Sequence, residues 1–182
     1  MRKILVGISG ASGVNLGVKL ANEIAKTNEC HVVVSKNAKL VLEKEQKLNL
    51  AIKNAKIYDD SDISAAVASG SFGIEANIIA PCSINTLAKI HAGFSDTLLT
   101  RAAAVALKER RKLILGVREM PFSTIALKQM AKLSSMGVVI APPILGYYAD
   151  IKSVEDMENF IIGKWLDALG IENRIYKRWG EE

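Results

Sequence analysis

Residues 4–13, Ile4-Leu5-Val6-Gly7-Ile8-Ser9-Gly10-Ala11-Ser12-Gly13, decide how this chain is read. An apolar run with no polar interruption gives way to a turn of serine, alanine and glycine. Such a run, bounded by glycine, is what a parallel strand covered on both faces requires. From Val14 the apolar spacing becomes helical, which predicts a helix over 14–26. Strand, glycine turn and helix in that order open a doubly wound α/β sheet.

The same alternation continues to the end of the chain. Further strands are expected at His31–Ser35, Asn77–Ala80, Lys112–Val117 and Gly137–Ala141, with Lys56–Tyr58 as a sixth. Helices are expected at 36–46, 84–92, 97–110, 122–134 and 154–169. Asp96 is the residue placed to cap the helix from 97, and Ser153-x-x-Asp156 is a relative of the capping box. Residues 59–75 fit no single regular element, and a long loop in a compact domain is often a binding loop. The fold expected is a three-layer, mainly parallel sheet of Rossmann or flavodoxin type, with residues 1–182 as one domain.

Composition narrows the function. The chain has 182 residues, 49% hydrophobic and 24% charged, with a formal net charge of +5. That excludes global disorder and allows a self-sufficient core. The positive residues are spread out, with no basic tract or aromatic platform, so nucleic acid is not the expected partner. Cys30 and Cys82 with His31 and His91 are too few for a disulfide framework or a structural zinc site. No apolar run reaches the ~18 residues of a membrane span. The apolar stretch after Met1-Arg2-Lys3 is too brief for a leader, so the expected location is the cytoplasm.

In a parallel sheet the residues after each strand gather at one carboxyl edge, where open α/β sheets bind ligands. Here those residues are Ser9–Gly13, Ser35, Pro81-Cys82-Ser83, Arg118-Glu119 and Pro142-Pro143. The glycine turn lacks both the G-x-G-x-x-G spacing and the Lys-Ser/Thr of a P-loop. It reads equally as an anion cradle or as a tight turn with a capping serine. Ser83 is placed to cap the helix from 84, and Cys82 beside it reads better as packing than as a nucleophile. Arg101 and Lys108 share one helix face about 10 Å apart. Glu119 offers a proton donor or acceptor and Arg118 an anion partner, against a plain surface ion pair. Tyr147-Tyr148 suit either a ligand or ordinary packing. The histidines read as structural.

Taken in order, Gly7–Gly13, Ala68-Ser-Gly-Ser71, Pro81-Cys-Ser-Ile-Asn-Thr-Leu87, Leu107-Lys-Glu-Arg-Arg111, Arg118-Glu-Met-Pro121 and Arg178-Trp-Gly180 resemble the UbiX-type flavin prenyltransferases. The likeness spans essentially the whole chain. It implies a metal-independent, homo-oligomeric enzyme, commonly a dodecamer, linked to ubiquinone biosynthesis. Such an enzyme joins a dimethylallyl group from dimethylallyl phosphate to N5 and C6 of reduced FMN. The product, prenylated FMN, is the cofactor of UbiD-type decarboxylases.

By that similarity, FMN is held by Gly10, Ala11, Ser12, Ser35, Ser83, Ile84, Asn85, Thr86 and Arg118. Dimethylallyl phosphate is held by Tyr148, Lys164 and Ser69, with Arg101 and Lys108 adding charge from a neighbouring subunit. Glu45 and Glu119 match the family's acids, and Ser12 and Lys108 join them in the catalytic set. Lys164 stands where the family usually has arginine, and Tyr147 where phenylalanine is more frequent. A flavin-dependent cysteine decarboxylase and a non-catalytic FMN carrier are the alternatives, and the first lacks its histidine near the opening helix.

Overall fold

β1 (Lys3–Ile8) lies inside a six-stranded sheet, buried from Ile4 to Ile8 and paired in parallel with a neighbour on each side. The computed structural model describes residues 1–46 and 51–180. Its other strands are β2 (Glu29–Val34), β3 (Lys56–Asp59), β4 (Ala76–Cys82), β5 (Lys112–Val117) and β6 (Val139–Ile140). They lie in the order β3-β2-β1-β4-β5-β6, every pair parallel. This is the Rossmann order. The strand sequence reverses between β1 and β4, and the crevice outside such a switch point is where these folds take ligands.

The helices are α1 (Val14–Ile24), α2 (Lys36–Gln46), α3 (Ile84–Ala92), α4 (Leu98–Lys108), α5 (Thr124–Ser135) and α6 (Val154–Leu169). One apolar layer joins α1, α2 and α6 to one face of the sheet, through residues such as Val18, Leu20, Leu42 and Trp165. A second joins α3, α4 and α5 to the other face, through Leu87, Leu99, Ala103 and Leu133. Each large side chain fully withdrawn from water contributes ~1.5–3 kcal/mol, so the two layers hold the sheet from both sides. Contact is closest at Gly17, where a Cβ would lie 2.3 Å from the carbonyl oxygen of Ala80. Only glycine lets α1 approach β4 so nearly.

The elements expected from sequence are all present; α2, α3, α6 and β5 have the expected limits, and the others are shifted. α4 starts at Leu98, and its cap is Thr97 rather than Asp96. The Thr97 side chain accepts from the amide of Thr100, and the Thr100 side chain reaches back to the Thr97 amide. Asp96 instead pairs with Lys89. α5 begins at Thr124 behind a Ser123 cap, two residues later than expected from the apolar pattern. The last strand shrinks to Val139–Ile140 because Gly137 takes a left-handed turn (φ 90) beside it. Two short 3-10 turns, Ala66–Ala68 and Gly70–Phe72, occupy the unassigned stretch before β4. The box at Ser153 and Asp156 forms as expected.

Candidate active site

The carboxyl edge is built from backbone outward. Ser9 follows β1 with its hydroxyl buried, donating to the carbonyl of Pro81 (2.8 Å) and accepting from the amide of Ser83 (2.8 Å). That one hydroxyl ties the ends of β1 and β4 together at the switch point. Ser83 then caps α3, accepting from the amide of Thr86 (3.2 Å). Ser35 does the same for α2, accepting from the amide of Ala38 (3.1 Å). Two helix N-termini therefore converge on one place, and the first-turn amides of a helix have no acceptor within it. Each also carries a partial positive charge, which makes the pair a site for an anion.

Between them lies a cleft of about 250 Å³, lined by Gly10, Ser35, Asn37, Ser83, Asn85 and Thr86, with Lys36 and Lys89 at its rim. Gly10 is required by packing: a Cβ there would stand 2.4 Å from the Cβ of Asn37. Hydroxyls, two side-chain amides and Lys36 around two helix starts, with Lys89 tied to Asp96, fit the phosphate and polyol chain of FMN. Sequence reasoning missed Lys36, Asn37, Asp60, Lys89, Thr97 and Thr100 as lining residues. For Lys36 and Asn37 the signal was available, since they directly follow the Ser35 cap.

The remaining expected residues fall into three other places. Arg118 and Glu119 follow β5 and border a cavity of about 360 Å³ shared with Pro121, Pro142 and Ile144. Glu119 is exposed, and its carboxylate accepts from the amide of Met120 (3.0 Å). Tyr148 and Lys164 line a larger cavity of about 650 Å³ over α6. Pro142 and Ile144 line both, so a single loop separates the acid from the lysine. Glu45, near the end of α2, accepts from the amide of Gly13 (3.0 Å), one residue from the exposed Ser12. Ala11, before Ser12 in the same turn, is buried.

Ser69, Arg101 and Lys108 do not join them. α4 starts beside Asp60, after β3, and ends beside Gly70, before β4, so it runs back from the carboxyl edge to the amino edge. Arg101 donates to the carbonyl of Ala68 (3.4 Å), and the Ser69 hydroxyl meets that of Ser71 (2.9 Å). Lys108 pairs with Glu109. Arg101 and Lys108 lie exposed on α4, with Ser69 in the segment packed beside it, away from the cleft and both cavities. Among the described residues no helix is long and apolar enough to cross a membrane, and no group of three acidic, histidine or cysteine residues could hold a metal.

The two cysteines and His31 are structural. Burial pushes the Cys82 thiol up to about 12, and the same holds for Cys30, so neither supplies a thiolate. Burial also lowers His31 below its ordinary value, against the pull of Glu29. Its ring bonds the Tyr58 hydroxyl (3.1 Å) and lies edge-on to Phe72.

A six-stranded parallel sheet in Rossmann order, with a phosphate-ready cleft at its switch point, defines a flavoprotein-like α/β protein, and residues 1–166 match the flavoprotein family. Within that family the chain belongs to the UbiX-type flavin prenyltransferases. It is 57% identical to a Campylobacter jejuni protein named flavin prenyltransferase UbiX, over 97% of this chain and 98% of the relative. A Helicobacter pylori protein of the same name is 45% identical over 98% of both chains. Among solved structures, AnUbiX in complex with FMN and dimethylallyl pyrophosphate superposes with a TM-score of 0.95 at 37% identity, covering 100% of this chain and 98% of that one. A structure described as a PPC decarboxylase mutant, at 22% identity and a TM-score of 0.66 over 79% of this chain and 82% of that one, shares the fold.

Proposed function

We propose that this protein joins the dimethylallyl group of dimethylallyl phosphate to reduced FMN at N5 and C6. The prenylated FMN then serves a UbiD-type decarboxylase. The observation that carries the reading is the convergence of two capped helix N-termini on a polar cleft at the carboxyl edge of the sheet, the edge where Arg118 and the exposed Glu119 follow β5 beside a cavity that shares one loop with the lysine-bearing cavity. Gly10, Ala11, Ser12, Ser35, Ser83, Ile84, Asn85, Thr86 and Arg118 hold the flavin. Reduced FMN supplies a nucleophilic N5 and a ring carbon at C6.

Tyr148 and Lys164 hold the phosphate ester, and Ser69, Arg101 and Lys108 of a neighbouring copy complete its binding. These cations stabilise the electron pair that leaves with phosphate as the C–O bond breaks, which is the largest catalytic contribution available without a metal. The N5 proton leaves with the phosphate as the first bond forms. Ring closure then opens the alkene π bond, one proton being delivered to the alkene carbon and one removed from C6, and Glu45 and Glu119 are the groups that carry these protons. Ser12, beside Glu45, orients the reacting end. The outward position of α4 supports a homo-oligomer, and a structural relative from Escherichia coli is described as dodecameric, which is the assembly we propose here, in the cytoplasm.

The test is anaerobic incubation with reduced FMN and dimethylallyl phosphate, then mass spectrometry of the extracted flavin. One added five-carbon unit is the expected result. Glu119→Gln should slow that gain by about 10²–10⁴-fold, the usual worth of a positioned acid or base, while FMN affinity stays the same. Unchanged flavin together with decarboxylation of a peptide C-terminal cysteine would replace this reading with the cysteine decarboxylase.

A further inference from the structure

Residues 171–180 turn back across α6, and one carboxylate holds them there. Asp167 accepts from Asn173 Nδ2 (2.8 Å), from the Tyr176 hydroxyl (2.5 Å) and from both terminal nitrogens of Arg178 (2.9 and 2.7 Å). A further Arg178 bond, to the carbonyl of Asn173 (3.2 Å), closes the turn. The helix is shaped for it: at Gly163 a Cβ would stand 2.1 Å from the Tyr176 ring. Burial alone would raise the Asp167 carboxyl, but Arg178, Tyr176 and Asn173 outweigh it and hold the group below its ordinary range.

What this clasp delivers is a row of aromatic rings. Tyr176 lies edge-on to Phe160 (5.3 Å between centroids), Phe160 to Tyr148 (5.7 Å) and Tyr148 to Trp179 (5.4 Å). Tyr148 is thus held on one side by α6 and on the other by the returning segment. Trp179 is 81% exposed, far too much for hydrophobic burial to fix it, so its place depends on the neighbouring Arg178. Charge gives a second consequence. Lys164 and Asp167 are three apart on α6 and line the same cavity, the spacing at which opposite charges pair on a helix. Arg178 takes up the carboxylate, and Lys164 has no ion-pair partner among the described residues.

We propose that Asp167 is a positioning residue for the anionic substrate: by clasping residues 173–178 it sets Trp179 against Tyr148, and by pairing with Arg178 it leaves Lys164 available to a phosphate. The role rests on reading this cavity as the site of the phosphate ester. Asp167 touches neither reactant; it acts through Tyr148 and Lys164.

Asp167→Asn, and separately Arg178→Gln on the exposed segment, should raise KM for dimethylallyl phosphate by about tenfold or more, as expected for losing charge-assisted bonds. FMN affinity and kcat should hold within about twofold. Asp167→Glu, which keeps the charge, should restore most of the loss. Trypsin cleavage after Arg174 or Lys177 should accelerate by about tenfold in both weakened variants, because cleavage follows the opening equilibrium of the segment. Faster cleavage with unchanged KM would overturn the proposal and leave a purely structural clasp. Unchanged cleavage would overturn it too, as would FMN affinity falling in step with KM. Calorimetric titration of the FMN-loaded protein with dimethylallyl phosphate separates the two readings. Tight binding without prenylation sinks the proposed reaction alone, and no binding to the wild type sinks both.

Discussion

The cleft at the β1–β4 switch point and the cavity over α6 are made in opposite ways. The cleft is assembled by backbone: Ser9 welds two strand ends, Ser35 and Ser83 start two helices, and a glycine lets the loop meet Asn37. Every one of those positions is fixed by the sheet beneath it. The cavity over α6 is lined by side chains of the loop after β6, of a 3-10 turn (Tyr147–Ala149) and of α6, with the returning C-terminal segment set against Tyr148, which is 41% exposed. A flavin bound through the first would meet a site preformed before it arrives. A phosphate ester bound through the second would meet one held by a single carboxylate. The first region is therefore expected to resist side-chain substitution except where backbone approach is at stake, and the second to respond to remote changes.

The comparison breaks most readily at Gly10. Gly10→Ala should lower FMN affinity by about ten- to a hundredfold, because overpacking of this kind typically costs about 1–3 kcal/mol and here it pushes the loop off α2. Flavin fluorescence titration measures it. An unaltered affinity would mean that the cleft is as adaptable as the cavity over α6. Ser83→Ala should have a smaller effect, about 1 kcal/mol from the lost cap, or roughly fivefold in affinity if all of it falls on binding. A thermal melt of flavin-free protein beside the titration divides that loss between folding and binding.

The smallest change expected sharpens the other side. Lys164→Arg adds a planar fork for phosphate and should lower KM for dimethylallyl phosphate by a few-fold, about 0.5–1 kcal/mol, with FMN affinity unmoved. If FMN affinity moves as well, the two regions are one site in energetic terms.

Much of this was legible along the chain. The apolar runs ending in Ser9, Ser35, Pro81 and Val117 placed the strands, and the hydroxyls just after them placed the cleft, because strand ends and helix caps are local features. The capping residue of α4 was not: Thr97 and Asp96 both suit the position, and Asp96 is drawn away by Lys89. The role of residues 171–180 was equally hidden. Arg178-Trp179-Gly180 stood out as a motif without a task, since nothing in its own neighbourhood says that Asp167 is its partner.

By itself, then, the sequence determined the parallel α/β layering, the carboxyl-edge location of the cleft, and the pairing of Arg101 with Lys108 on one helix face. Periodicity, caps and helix geometry act over a few residues, and a few residues suffice to read them. Only the tertiary structure decided the strand order with its reversal between β1 and β4, and the outward direction of the α4 cations. It alone joined Asp167 to Arg178. Those features depend on which distant segments pack together, and that is settled by burial over the whole chain.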